Sequence, residues 1–267
     1  MTIATPALPF PMRIATWNVN GIRAALRKGF ESHVERVSPD VLLLQEVRAL
    51  PEQIPEHARD PEGWQTLWHP AQKKGYSGTA IRSRHDTLKE EARGIGEDDH
   101  EGRVIVARAG KLRVVSVYLP SGSSSEDRQA IKDQWLPAFR DWAQPLLRSR
   151  IPTVLGGDFN IAHTERDIFY AKSNQKTSGF LPHEREWMGD MIDQGWRDIV
   201  RDKYGDIDGP YSWWSNRGQA RAKDRGWRID YLLLNKAAHN TLKDCHIDRQ
   251  SGLEVSDHAM VVADLDL

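Results

Sequence analysis

The stretch "GGDFNIAH", Gly156 to His163, sets a carboxylate and a carboxamide two residues apart beyond the apolar run "IPTVL". Read as extended chain, Asp158 and Asn160 point to the same side, and an acceptor and a donor-acceptor then face one small volume. The plainer alternative is a bend through the two glycines, with Asp and Asn bonding their own backbone. The pattern recurs along the chain. "IATWNVNG" ends an apolar run at Asn18, "VLLLQEV" at Gln45 and Glu46, and "VVSVYLP" at Tyr118. "WRIDYLLL" opens a run with Asp230, and "SDHAMVVADL" with Asp257 and His258. Singly, each has an ordinary explanation: Glu46 as a solvated strand end, Asp230 as an ion-pair partner of Arg228 or Arg225, His258 as a structural histidine, Asp257 as a turn cap. Together they describe strand ends that hold a site rigidly while loops vary.

These residue types have a definite chemistry. Carboxylates and carboxamides without thiols favour a hard, oxygen-seeking cation such as Mg²⁺, or Mn²⁺ in its place. Such a cation, with a base and a histidine, suits hydrolysis of a phosphate ester. Zinc-type Cys/His spacings, HExxH, GxSxG, GxxxxGK[ST] and GxGxxG are all missing from the sequence, which removes the commonest alternative chemistries.

The elements that must position these groups form an alternating series. Strand-like runs are "RIATWNV", "DVLLLQE", "GTAIRS", "RVIVAR", "LRVVSVYLP", "PTVLGGD", "IDYLLLN" and "AMVVADLDL". Helix-like stretches are "GIRAALRKGFESHVERV", "SSSEDRQAIKDQWLPAFRDWAQPLL" and "LPHEREWMGDMIDQGW", the second opening on serines and acids and the third with proline at its start. Several strands are apolar on both faces, as in a sheet covered on both sides, so the reading is one α/β domain. The loop "YLPSGSSSEDR" reads as a flexible surface element near a site. With 267 residues, 39% hydrophobic and 28% charged, the chain is long enough for a substantial core and ordinary for a soluble protein. "MTIATPALPFPM" reads as a short extension over 1–12 rather than a secretory signal, and no run is long enough to span a bilayer. Cys245 is the single cysteine, which rules out an intrachain disulfide and fits a reducing, cytoplasmic setting. A net charge of −1 excludes an all-over basic nucleic-acid binder but allows a local basic face.

Beyond these patterns, "WNVNGIR", "LLLQEV", "GYSGTAI", "GDFNIAH", "GWRIDYLL" and "SDH" occur in the order seen in the exonuclease III family of abasic-site endonucleases. That family is part of the endonuclease/exonuclease/phosphatase superfamily. The resemblance runs from about Met12 to the C-terminus and implies a four-layer α/β sandwich, two mixed sheets face to face with helices outside, as a single catalytic domain over 13–267. It also implies roles. Glu46 resembles the principal metal ligand, with Asn18 and Asp257 near the metal. Asp158 matches the residue that activates or orients the attacking water, and Asn160 would hold that water or a phosphate oxygen. Asp230 resembles the carboxylate that fixes the catalytic histidine, here His258, as an imidazolium facing the pentavalent phosphate. Tyr118 matches a phosphate-contacting tyrosine, as donor or as phenolate, and Asn174 a phosphate-binding asparagine. Trp213, Trp227 and Ile229 match the positions lining an abasic pocket. Three positions depart from relatives: Asn20, an aspartate in animal members; Ser121, often Asn or Gln; and Ala259, commonly cysteine.

Between "YSWW" and the Asp230 run, "NRGQARAKDRGWR" carries Arg217, Arg221, Lys223, Arg225 and Arg228. It reads as a DNA-facing loop, extended by Arg48, Lys73, Lys74 and Tyr76, with contacts to phosphates rather than bases. The resemblance thus implies a Mg²⁺-dependent repair phosphodiesterase that cuts duplex DNA 5′ to abasic sites. It also implies 3′–5′ exonuclease and 3′-phosphatase or phosphodiesterase activity. The enzyme would be bacterial, cytoplasmic and monomeric, with no membrane and no obligate protein partner. Two other readings stand beside it: a phosphatase of the same superfamily acting on a non-DNA ester, and a silent DNA-binding member of the fold.

Overall fold

The structure, a computed structural model, describes residues 11–96 and 99–267; most of the extension expected over 1–12 lies outside the described residues. Twelve strands form in chain order: β1 (Met12–Asn18), β2 (Val41–Gln45), β3 (Gln65–His69), β4 (Thr79–Ser83), β5 (Leu88–Arg93), β6 (Val104–Ala109), β7 (Leu112–Tyr118), β8 (Thr153–Asp158), β9 (Arg197–Asp198), β10 (Asp230–Leu234), β11 (Leu242–Asp248) and β12 (Met260–Leu265). The helices are α1 (Ile22–Arg27), α2 (Phe30–Val37), α3 (Glu56–Arg59), α4 (Glu126–Leu147), α5 (Pro182–Asp193), α6 (Ile199–Tyr204), α7 (Lys236–His239) and α8 (Arg249–Glu254). None of them is long and apolar enough to cross a membrane.

The strands make two mixed six-stranded sheets, ordered β11-β12-β1-β2-β4-β3 and β5-β6-β7-β8-β10-β9. Side chains alternate across a strand, and here both faces are apolar. In β2, Val41 and Leu43 face the other sheet, joining Ile105, Val114, Val154 and Leu232 in a central core. Leu42 and Leu44 face outward, under α1 and α2, where Trp17 stacks on Phe30 at 5.2 Å. On the far side, Val115, Val117 and Leu155 pack beneath Phe139 of α4 and Trp187 and Met188 of α5. The result is helix, sheet, sheet, helix: the four-layer sandwich that the resemblance implied.

Two expectations change. The stretch 21–37 reads as one helix but forms two, because Gly29 takes φ +94° and the chain turns there. Gly156 and Gly157 also do not form a bend after the strand; both lie inside β8. A Cβ at Gly156 would fall 2.4 Å from Leu43 Cδ1 of the facing sheet, and one at Gly157 would fall 1.8 Å from the Val117 carbonyl. Gly156 lets the two sheets approach, and Gly157 lets β7 and β8 lie close, just before Asp158.

Candidate active site

Strand register assembles the polar residues. β7 and β8 run parallel with Tyr118 beside Asp158, and β8 and β10 run antiparallel with Asp158 beside Asp230. In the other sheet Asn18 pairs with Gln45 at the ends of β1 and β2, so Glu46 follows at the same edge. The loop residue Trp213 then bridges to both Trp227 and His258. All of this converges on one cleft of about 380 Å³, lined by Glu46, Tyr118, Asp158, Asn160, Asp257 and His258 on its polar side, and by Trp213, Trp227 and Ile229 on its apolar side. Asn20, Arg48 and Ser121 also line it.

The hydrogen bonds give each group a defined orientation. Asp230 accepts from the His258 ring, Oδ2 to Nδ1 at 2.9 Å, and from the Ser212 hydroxyl at 2.7 Å. That leaves His258 Nε2 facing Asp158 Oδ2 at 3.9 Å. Asn18 is fully engaged behind them: Nδ2 donates to Asp158 Oδ2 at 2.9 Å, and Oδ1 accepts the Asn20 N–H at 2.9 Å. Tyr118 donates its hydroxyl to Glu46 Oε1 at 2.5 Å, and Arg48 pairs with Glu46 Oε2. Asp257 accepts from Asn20 Nδ2 at 2.7 Å and from Trp213 Nε1 at 3.3 Å.

The two oxygens of Asp158 have different surroundings, one in a turn and one towards the cleft. Oδ1 accepts the Asn160 N–H at 2.8 Å, while Oδ2 faces Asn18 and His258. β8 ends at Asp158, so Asn160 is not in extended chain; it sits at φ +50° and donates Nδ2 to the Leu119 carbonyl at 2.8 Å. Asn20, Glu46 and Arg48 also have φ near +50°. Positive φ is uncommon outside glycine, and its concentration around one cleft is typical of sites held by their surroundings.

Burial and charge set the protonation of the site. For His258 burial opposes the charged form, but the Asp230 and Asp158 carboxylates overcome it and push the pKa up, which favours the imidazolium. Asp158 is pushed up by burial, against the pull of His258 and with help from the Asp230 and Glu46 charges. Tyr118 is raised well above the ordinary phenol value, by burial first and then by Glu46 and Asp158. The shift favours the phenol form, in keeping with its hydroxyl donating to Glu46.

A hard cation fits this donor set. Asp158, Asp230 and His258 offer atoms within 4.8 Å of one another, but an imidazolium has no lone pair to give. The carboxylates of Glu46 and Asp257 face the same cleft, with oxygen donors and no thiol, as Mg²⁺ requires.

Most of the other sequence-marked residues lie outside the cleft lining. Lys73 sits 5.3 Å over the Tyr76 ring, and Tyr76 accepts from Arg103 at 3.1 Å. Lys74, Arg217 and Lys223 are exposed, and Arg221 donates to Asn216 at 2.9 Å. Arg225 lies over the Phe169 and Tyr170 rings. Asn174 donates Nδ2 to the Tyr170 carbonyl at 2.9 Å and is outside the cleft lining. Arg228 departs from the basic-loop reading: it is fully buried and binds Asp167 and Asp198, not Asp230.

Several contributors escaped the sequence reading. Ser212 orients Asp230 and accepts the Asp230 N–H at 3.1 Å; it lay unremarked inside "YSWW". Arg103 donates to the Tyr118 carbonyl at 2.9 Å and stacks 4.8 Å from its ring. Lys132 and Glu184, both wholly buried, pair at 2.6 Å. Lys132 also donates to the Asn160 carbonyl at 2.9 Å, and Glu184 accepts the Gly179 N–H at 2.6 Å. No local pattern could have revealed a pair 52 residues apart, on two different helices.

Comparison with known proteins agrees with this geometry. The sequence profile of the Endonuclease/Exonuclease/phosphatase family matches residues 15–258. An exodeoxyribonuclease of Bacillus subtilis is 36% identical over 252 residues, covering 94% of this chain and 98% of that protein. The DNA repair nuclease APEX1 of Danio rerio is 36% identical over 240 residues, 88% of this chain and 77% of that protein. Among solved structures, the 3′ phosphatase NExo from Neisseria, bound to a product DNA hairpin, superposes with a TM-score of 0.85 at 30% identity, covering 96% of this chain and all of that one. With its profile match and these close relatives, the chain belongs to the endonuclease/exonuclease/phosphatase family, in the branch of exodeoxyribonucleases and abasic-site endonucleases.

Proposed function

We propose that this protein is a Mg²⁺-dependent DNA-repair phosphodiesterase that hydrolyses the backbone 5′ to abasic sites, with 3′–5′ exonuclease and 3′-phosphatase or phosphodiesterase activity alongside. The observation that carries the reading is the Asp158–His258–Asp230 alignment set against an apolar wall of Trp213, Trp227 and Ile229.

Glu46 and Asp257 would hold the cation, with Mn²⁺ as a substitute; Asn18, engaged with Asp158 and Asn20, acts as its support from behind. When bound, the cation supplies charge neutralisation on the phosphoryl oxygens. Asp158, raised towards neutrality by burial, orients and deprotonates the attacking water through Oδ2, as a general base does best when its pKa is near the working pH. Asn160 is fixed by its own turn and lines the cleft beside it. The His258 imidazolium, kept charged by Asp230, and the Tyr118 hydroxyl stabilise the phosphorane charge from preset positions. A base-free deoxyribose fits a close apolar pocket, whereas an intact nucleotide brings its base and a larger unstacking penalty.

The substrate is duplex DNA with an abasic site or a blocked 3′ end. Arg48, Lys73, Lys74, Tyr76, Asn174, Arg217, Arg221, Lys223 and Arg225 meet its phosphates. A single catalytic domain over 13–267, a monomeric state and the cytoplasm of a bacterium complete the proposal, the last supported by the buried single Cys245 and the Bacillus relative. Presenting the protein with an abasic duplex, an intact blunt duplex and a phosphoinositide, each with Mg²⁺ and with EDTA, tests it. Cutting of the abasic duplex at its lesion, with only end trimming of the intact duplex and no phosphate from the phosphoinositide, all abolished by EDTA, is the expected result; release of phosphate from the phosphoinositide with both duplexes intact would replace this reading.

A further inference from the structure

A second cavity, of about 960 Å³ against about 380 Å³ for the catalytic cleft, lies behind the apolar wall. Ile168 separates the two. It is buried, bridges to Trp227 and packs with Ile229. The next residue, Phe169, is anchored by its N–H to the Gly226 carbonyl at 3.0 Å, yet its ring turns outward. Phe169 is 46% exposed and Tyr170 47%, the only exposed aromatic side chains among the described residues. Their rings meet edge to face at 4.7 Å. Fixed backbone and solvent-facing rings together make a rigid platform.

The charges around it are unbalanced. Among the rim carboxylates, Asp208 shares Arg166 with Asp206, each at 2.9 Å, and Asp224 pairs with Arg249 at 3.1 Å. Glu165 accepts only from Gln175, at 3.4 Å. Lys172 and Lys223 line the cavity, and Arg225 lies 5.7 and 5.5 Å from the two ring centroids. None of these three cations has an ion-pair partner among the described residues. Three free cations outweigh Glu165 and the one surplus carboxylate of the Asp206–Arg166–Asp208 group, so the surface attracts an anion.

Aromatic faces beside free cations recognise unpaired nucleotides: bases stack and phosphates meet the charges. A duplex hides its base faces, so the platform suits a strand freed from pairing. We propose that Phe169 and Tyr170, with Lys172, Lys223 and Arg225, form a second binding site for unpaired nucleotides of a DNA strand, separate from the catalytic cleft. The choice of DNA rests on the phosphodiesterase reading; the site itself does not depend on the abasic pocket. Only the Ile168–Trp227 layer divides platform from cleft, so a frayed or gapped strand next to the lesion is within reach of both.

Fluorescence anisotropy in EDTA, where no turnover occurs, tests this with a labelled twelve-nucleotide oligothymidylate and an abasic duplex at one salt concentration. Stacking on aromatic residues is sequence-tolerant and substantial per base, so the double variant F169A/Y170A should lose about tenfold or more in oligothymidylate affinity. The ratio of oligothymidylate to duplex affinity should fall with it, and F169W/Y170W should restore both. Should the alanine pair lower the melting temperature, F169L/Y170L keeps the apolar bulk, lacks the stacking face and must show the same loss. Oligothymidylate binding within twofold of the wild type in the alanine or leucine pair overturns the proposal, as does a wild-type protein with no saturable oligothymidylate binding. Failure of the wild type to cleave an abasic duplex with Mg²⁺ would instead overturn the nuclease reading, and the binding measurement stays independent of it.

Discussion

Two buried charge clusters flank the segment "WRID", and they differ in their balance. Arg228 is locked between Asp167, at 2.7 Å, and Asp198, at 2.8 Å, and Arg201 also pairs with Asp167. Two carboxylates meet two guanidiniums and every charge is answered. Two residues on, Asp230 is buried behind the cleft against His258, and the carboxylates of Glu46, Asp158, Asp230 and Asp257 are set against His258 and Arg48. The first cluster is closed and structural: it ties the loop after β8 to β9 and α6. The second has negative charge to spare, and that surplus is what a divalent cation requires; the cation in turn lets a phosphate approach. Burial alone does not mark a site; an uncompensated buried charge, aimed at a cleft, does.

The contrast predicts opposite phenotypes. Asp158→Asn removes the proposed base with little change of shape. Single-turnover cleavage of an abasic duplex should fall by ~10²–10⁴-fold with melting temperature nearly unchanged. A near-normal rate would reduce Asp158 to a turn residue. Arg228→Met, in the closed cluster, leaves Asp198 buried and unanswered and Asp167 with Arg201 alone. A urea titration should show a loss of about 3–5 kcal/mol, while turnover per folded molecule is retained. If that variant is as stable as the wild type, the cluster is not the structural tie described.

Between these lies the Lys132–Glu184 pair, which is structural in form but touches the catalytic turn through the Asn160 carbonyl. Displacing reacting groups by a fraction of an ångström is costly to rate. Lys132→Met should lower kcat roughly tenfold with KM flat, and Lys132→Arg should recover part of it. A parallel fall in stability alone, with kcat per folded molecule intact, would make the pair purely structural.

The closed cluster also sets an acid limit. Burial works against ionisation of Asp167, but the charges and hydrogen bonds of Arg228 and Arg201 outweigh it and hold the carboxyl well below the usual carboxylate range. A folded pKa below the unfolded value, about 4, contributes stability that is complete above that value and is lost as pH falls towards the folded pKa. The urea midpoint should therefore decline below about pH 4, and Asp167→Asn should flatten that decline. The smallest effect belongs to the rim. Arg217→Ala should weaken duplex binding across sequences and reduce the salt slope by about one phosphate contact, as read by anisotropy from low to moderate salt.

What the sequence reveals follows from the same physics. The eight strands found from apolar runs are the interior strands of the two sheets. The four missed, β3, β11, β5 and β9, are the four edges. "LKEEAR" in β5 and "LKDCHID" in β11 are largely polar because an edge strand keeps a face in solvent. Strand-end polar residues were legible for the converse reason: Glu46, Asp158 and Asp230 interrupt buried runs where a polar group needs an explanation. Arg228 deceived the reading because a basic loop and a buried guanidinium have the same one-dimensional signature. Partners such as Asp167, 61 residues away, are set by the fold and leave no local trace.

The central claim is that surplus negative charge in the cleft exists to hold a cation at Glu46 beside Asp158. Titrating Mg²⁺ into abasic-duplex cleavage by the wild type and by Glu46→Gln tests it most directly. The account predicts no cleavage in EDTA, saturable recovery for the wild type, and a Mg²⁺ midpoint shifted about tenfold or more upward in the variant, in keeping with the loss of a charged oxygen ligand. Full cleavage in EDTA, or superimposable titrations for the two proteins, would contradict it.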